Sequence, residues 1–94
     1  MKISGFIWLE DIVEKLWRKH EVAPDEVAEL FANKPHFRFV EKGHREGENV
    51  YAAMGKTQAG RYLITFFVQK EDNKALILSS RTMTDSERRL YERQ

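Results

Sequence analysis

The chain has 94 residues, 41% of them hydrophobic, with a net charge of +1 and no cysteine. Such a length suits a single domain over residues 1–94, burying about 60–65% of the surface its unfolded chain exposes, and the apolar content excludes a disordered chain. Absence of cysteine argues against a disulfide-stapled secreted scaffold and for the cytoplasm, while no apolar run approaches the ~20 residues of a membrane span and Lys2-Ile3-Ser4-Gly5 does not read as a signal peptide.

In chain order, Phe6-Ile7-Trp8-Leu9 reads as a short strand or as the lead-in to a helix. From Glu10 to His20 the spacing turns helical, with Ile12, Val13, Leu16 and Trp17 on one stripe that is expected to be core. Glu14 and Arg18 form an i,i+4 pair in the favourable order. Glu21-Val22-Ala23 breaks the pattern, and Pro24 restarts it at a first helical position, followed by Asp25 and Glu26 where the helix dipole favours acids. Val27, Leu30 and Phe31 give this second helix its buried face, and Asn33-Lys34-Pro35 ends it.

After Pro35 the period changes from 3.6 to 2, with Phe37 and Phe39 alternating with His36, Arg38 and Val40. The loop Gly43-His44-Arg45-Glu46-Gly47 leads to a strand from Glu48 to Lys56. Gln58-Ala59-Gly60 turns the chain into Arg61–Val68, apolar on both faces and therefore the expected central strand. Glu71-Asp72-Asn73 makes another tight turn before a last strand, Ala75–Arg81. Such short loops favour antiparallel neighbours, since parallel pairing needs a long crossover. Thr84 and Glu87 then form a capping box that opens a helix through Arg88, Arg89, Leu90, Tyr91 and Arg93. The expected architecture is α+β: two helices, a four-stranded antiparallel sheet and a short closing helix.

Several chemistries lack their motifs. No glycine-rich phosphate loop, nucleophile elbow or cysteine nucleophile is present. His20, His36 and His44 stand in three different elements without metal-ligand spacing, so no metal site is expected. An enzyme built on this chain works without a cofactor. Charge is unevenly spread: residues 1–33 carry four basic and seven acidic side chains, residues 34–94 twelve and eight. The basic portion holds the sheet and the last helix, which suits a polyanion or an acidic partner, or an ordinary solvated surface.

Seven stretches occur in an order that resembles the BrnT family of toxins from type II toxin–antitoxin modules. They are Phe6-x-Trp8, Lys19-His20-x-Val22, Phe31-Ala32-Asn33, Glu46-Gly47-Glu48 with Tyr51 and Gly55, Gly60-Arg61, Ile77-x-Ser79-x-Arg81, and Glu87-Arg88-Arg89-x-Tyr91-Glu92. The resemblance implies a RelE-like fold, with helices on one face of an antiparallel sheet. It also implies a ribonuclease that arrests translation, acts on RNA, and is held inactive by a cognate antitoxin of ribbon-helix-helix type, which alone would contact operator DNA. No membrane is involved. This chain departs from the family pattern at Leu9 (usually aspartate), Ile12 (lysine), Leu16 (asparagine), Glu21 (glycine) and Val50 (arginine).

Metal-free RNA cleavage needs a base for the ribose 2′-OH, an acid for the leaving 5′ oxygen, and cations for the charge that builds on phosphorus. His20 is the candidate base or acid, and otherwise a helix-end residue meeting the dipole. Arg61 and Arg81 are candidate phosphate clamps, and otherwise structural ion pairs, with Glu46 or Glu48 as partners. Lys19, Arg88 and Arg89 are candidate RNA-binding residues, and otherwise solvated helix charges. Phe37, Phe39, Tyr51 and Tyr62 are candidates for base stacking, although their alternation argues that most are core. A competing function is a non-catalytic protein-interaction module on the same fold, binding an antitoxin-like partner. The aliphatic residues Ile12, Leu16 and Val50 favour that second reading.

Overall fold

The computed structural model describes residues 1–45 and 47–94. Elements run β1 (Gly5–Ile7), α1 (Glu10–His20), α2 (Pro24–Ala32), β2 (His36–Glu41), β3 (Val50–Lys56), β4 (Tyr62–Gln69), β5 (Lys74–Thr82) and α3 (Asp85–Glu92), with one 3₁₀ turn at Glu71–Asn73. The five strands form a single sheet in the order β1-β5-β4-β3-β2. β2 to β5 are antiparallel, as the short loops require, and β4 is central. The β4–β5 connection carries Asp72 and Asn73 at φ 61° and 59°, the left-handed pair favoured where a tight turn must follow the strand twist.

The expected four-stranded antiparallel sheet is corrected by β1, which pairs in parallel with β5, Gly5 opposite Lys74 and Ile7 opposite Leu76. The short-loop argument concerns strands adjacent in sequence. β1 instead meets a strand near the other end of the chain, and α1, α2 and the β-hairpins supply the crossover.

The sheet has two unequal faces. On one lie α1, chiefly over β5, and α2, over β3 and β4. Here Leu16, Val22, Val27, Leu30, Leu63, Phe67 and Ile77 are buried, and the Phe31 ring meets Phe6, Phe37 and Phe67 at centroid distances of 5.1, 6.0 and 5.4 Å. Phe37 and Tyr51 belong to this core, as their alternation argued. Gly55 lets α2 approach: a Cβ there would stand 3.2 Å from Leu30 Cγ. The other face carries a smaller cluster of Ala52, Met54, Ile64 and Met83, closed at one end by Tyr91 of α3. Two aromatics depart from expectation. Trp17 is 59% exposed rather than core, and Phe39 at the β2 edge is 55% exposed. No described helix is long and apolar enough to cross a membrane.

Candidate nucleic-acid interface

The candidate residues divide between the two faces of the sheet. On the helical side, the turn Thr57–Arg61 is closed by the Thr57 N–H donating to the Arg61 carbonyl and the Gly60 N–H to the Thr57 carbonyl, with Gly60 at φ 86°, a value that suits glycine. Thr57 Oγ1 also accepts the Arg61 N–H, and the side chain of Arg61 is directed back toward the helices. Arg61 Nη1 donates to the Glu21 carbonyl at 2.7 Å and to the Glu26 carboxylate at 3.1 Å, and Nη2 donates to the His20 carbonyl at 2.7 Å. The guanidinium thereby satisfies carbonyls left open at the end of α1. Its acid partner is Glu26; Glu48 pairs instead with Lys70 at 3.9 Å, and Glu46 lies outside the described residues. Glu26 also accepts the Ala23 N–H, capping α2 from its third position. His20 is half-buried at the end of α1, with Lys19 exposed beside it.

Arg81 stands on the opposite face, because its register partner Ile64 belongs to the smaller cluster. It forms a two-pronged pair with Glu87, Nη1 to Oε1 at 2.7 Å and Nη2 to Oε2 at 2.9 Å. Its guanidinium lies 5.5 Å from the centre of the Phe66 ring. Glu87 simultaneously closes the Thr84 capping box, accepting from Thr84 N at 2.8 Å. Hydrogen bonding from Arg81 outweighs partial burial and, with the Thr84 N–H, lowers the Glu87 carboxyl to about 2; the same pairing raises Arg81. Arg61–Glu26 and Arg81–Glu87 are therefore analogous, each acid sitting at the third position of a helix it caps. The structure does not bring His20 and Arg81 together.

What it does bring together is a basic and aromatic surface. Pairing across the sheet aligns His36 with Met54, Ile64 and Arg81, and Arg38 with Ala52, Phe66 and Ser79. His36 packs edge-on against Tyr91 at 5.4 Å, and Tyr91 against Tyr62 at 6.0 Å. Arg88 lies 3.9 Å from the centre of the Tyr62 ring and Lys56 5.2 Å from it. Arg89 is exposed further along α3, bonded to Ser86. Among the described residues, Arg38 and Lys56 have no acidic partner. Cations interleaved with aromatic rings on an open sheet suit single-stranded nucleic acid, where phosphates need charge and bases need flat apolar surfaces.

Residues 8–87 match the family described as "Ribonuclease toxin, BrnT, of type II toxin-antitoxin system". The chain belongs to the BrnT family. A type II system implies an antitoxin partner. The 1.1 Å crystal structure of the Brucella abortus ribonuclease toxin BrnT is similar in fold, with a TM-score of 0.60 at 13% identity, over 86% of this chain and 97% of that one. No curated protein matches the sequence.

The departures of this BrnT-family chain have structural meanings. Leu9 occupies the N-cap of α1, where aspartate would bond a free N–H, and makes no side-chain cap. Glu21 sits at φ 50°, a left-handed helix end that glycine adopts without strain. Ile12 and Leu16 face the main core. Val50 lies on the open face, two residues from Ala52. Sequence reasoning missed His36, Arg38 and Lys56, which share the open face with Arg81. The signal was present in β2, whose His36 and Arg38 alternate with Phe37 and Phe39 and so must face away from the helices.

Proposed function

We propose that this BrnT-family protein is a metal-independent endoribonuclease that cleaves RNA laid across the open sheet face, thereby inhibiting translation. The observation that supports this reading is the spread of His36, Arg38, Lys56, Arg81 and Arg88 with Tyr62 and Tyr91 over one face of a fold whose family is a ribonuclease family. In this reading Arg38 and Lys56 hold non-bridging phosphate oxygens, and a base stacks against the aromatic rings. Arg81, three strand pairings from His36, neutralises a neighbouring phosphate of the same RNA strand once that phosphate competes with Glu87 for its fork. The 2′-OH loses a proton, its oxygen attacks phosphorus, and the 5′ oxygen leaves with a proton. The imidazole of His36 is the group on that face suited to carry one of these transfers near neutral pH. Arg61 is a positioning residue that joins α1 and α2 to the sheet, and His20 ends α1 outside the open face. A cognate antitoxin of ribbon-helix-helix type neutralises the activity, and only through it does the complex reach DNA.

One observation favours the second reading, a non-catalytic partner-binding module: Glu87 already neutralises Arg81 in the free chain. Controlled expression separates the two. The toxin reading predicts growth arrest that Arg38→Ala with Lys56→Ala relieves while the protein stays folded. Unimpaired growth with abundant folded wild-type protein supports the module.

A further inference from the structure

We infer that the outer side of α1, along Leu9, Val13 and Trp17, is the docking surface for a basic amphipathic helix of the antitoxin. This rests on the toxin–antitoxin reading and adds to it the place and chemistry of the contact. Leu9 and Trp17 are 47% and 59% exposed, and half-buried Val13 lies between them at four-residue intervals, one line along the helix. Trp17 contributes nothing to the main core, yet it is the largest apolar side chain that α1 presents to water. Leu9 occupies an N-cap without capping, so its exposed side chain forgoes the bond that aspartate, asparagine, serine or threonine would make there.

The flank of this line specifies its occupant. Glu10 and Glu14 flank the line through its first turns and are exposed, Arg18 continues their row, and exposed Glu21 follows at the left-handed end of α1. Glu14 meets Arg18 only at 3.9 Å in water. An apolar line edged by carboxylates fits a helix with an apolar stripe and adjoining lysines or arginines. The open sheet face is basic and would repel such a segment, so RNA and this helix would be recognised on opposite sides of the molecule.

The test uses the full chain and the antitoxin encoded in the same operon. Titration should shield Trp17 from acrylamide quenching, with Trp17→Phe identifying its fluorescence against that of Trp8. Trp17→Glu should weaken the complex about thirtyfold or more. Glu10→Lys with Glu14→Lys should slow association and flatten its salt dependence. Each variant should stay folded, with melting lowered by only a few degrees through lost dipole and i,i+4 charge terms, and retain RNA cleavage. A tight complex indifferent to Trp17→Glu overturns the docking surface and leaves the ribonuclease reading standing. No complex with wild type overturns the antitoxin reading together with the docking. A partner-free dimer that Trp17→Glu dissociates reassigns the surface to a second copy of this chain and overturns the proposal.

Discussion

Arg61 Nη2 donates a hydrogen bond to the main-chain carbonyl of His20 at 2.7 Å. Two residues expected to share catalysis are thus linked through the backbone that ends α1, with the imidazole outside the bond. The same guanidinium reaches Glu21 and Glu26, so one side chain joins α1, α2 and the start of β4.

Removing that guanidinium should cost stability. Arg61→Ala is expected to lower the free energy of unfolding by about 2–3 kcal/mol, the range for charge-assisted hydrogen bonds whose partners lose their donor. Arg61→Lys should recover less than half, because an ammonium lacks the planar fork that spans two carbonyls and a carboxylate. Urea denaturation checks both. Losses within about 0.5 kcal/mol, typical of plain surface substitutions, would contradict the assignment.

The second pair gives an acid signature. The Glu87 carboxyl titrates near 2 in the folded chain, against 4.5 as its ordinary value. Its folded value is depressed, so the unfolded chain binds the proton more readily between those limits. The stabilisation is complete above about pH 4.5 and disappears as pH falls toward about 2. The pair is partly solvated, so screening limits its worth to roughly 1–2 kcal/mol. Glu87→Gln preserves a capping-box acceptor while removing the charge. Melting temperature between pH 5 and pH 2 should consequently fall less steeply in the variant than in wild type.

Two positions invite stabilising changes. Leu9→Asp supplies the missing N-cap of α1 and should add about 1 kcal/mol. Glu21→Gly relieves a left-handed backbone at φ 50° and should add about 0.5–1 kcal/mol, after allowance for the flexibility glycine gives the unfolded chain. Thermal melts measure both effects. Being far apart in contact terms, one at each end of α1, the two should combine nearly additively.

Local signals carried much of this fold. Pro24 opens α2 and the Thr84–Glu87 box opens α3 where the sequence places them, because both act through neighbouring backbone groups. The alternation of Phe37 and Phe39 locates β2 for the same reason. β1 was ambiguous because three residues carry little periodicity and its partner Lys74–Leu76 is remote. Trp17 was misplaced because a helical stripe wider than its contact area leaves one border in water, and sequence alone does not say which border. The candidate surface was less legible. Arg81 stood among the candidates, but that His36 and Arg38 share its face follows from register across four strands, information no local pattern contains.

The most direct test compares RNA cleavage by purified, partner-free protein in EDTA for wild type, His36→Ala and His20→Ala, with folding verified by circular dichroism. The open-face account predicts cleavage by wild type, a loss of about a hundredfold or more in His36→Ala, the range expected when an acid–base group is removed, and near wild-type rates in His20→Ala. Equal cleavage by His36→Ala and wild type, with the loss falling on His20→Ala, would place the chemistry on the helical side and contradict the account.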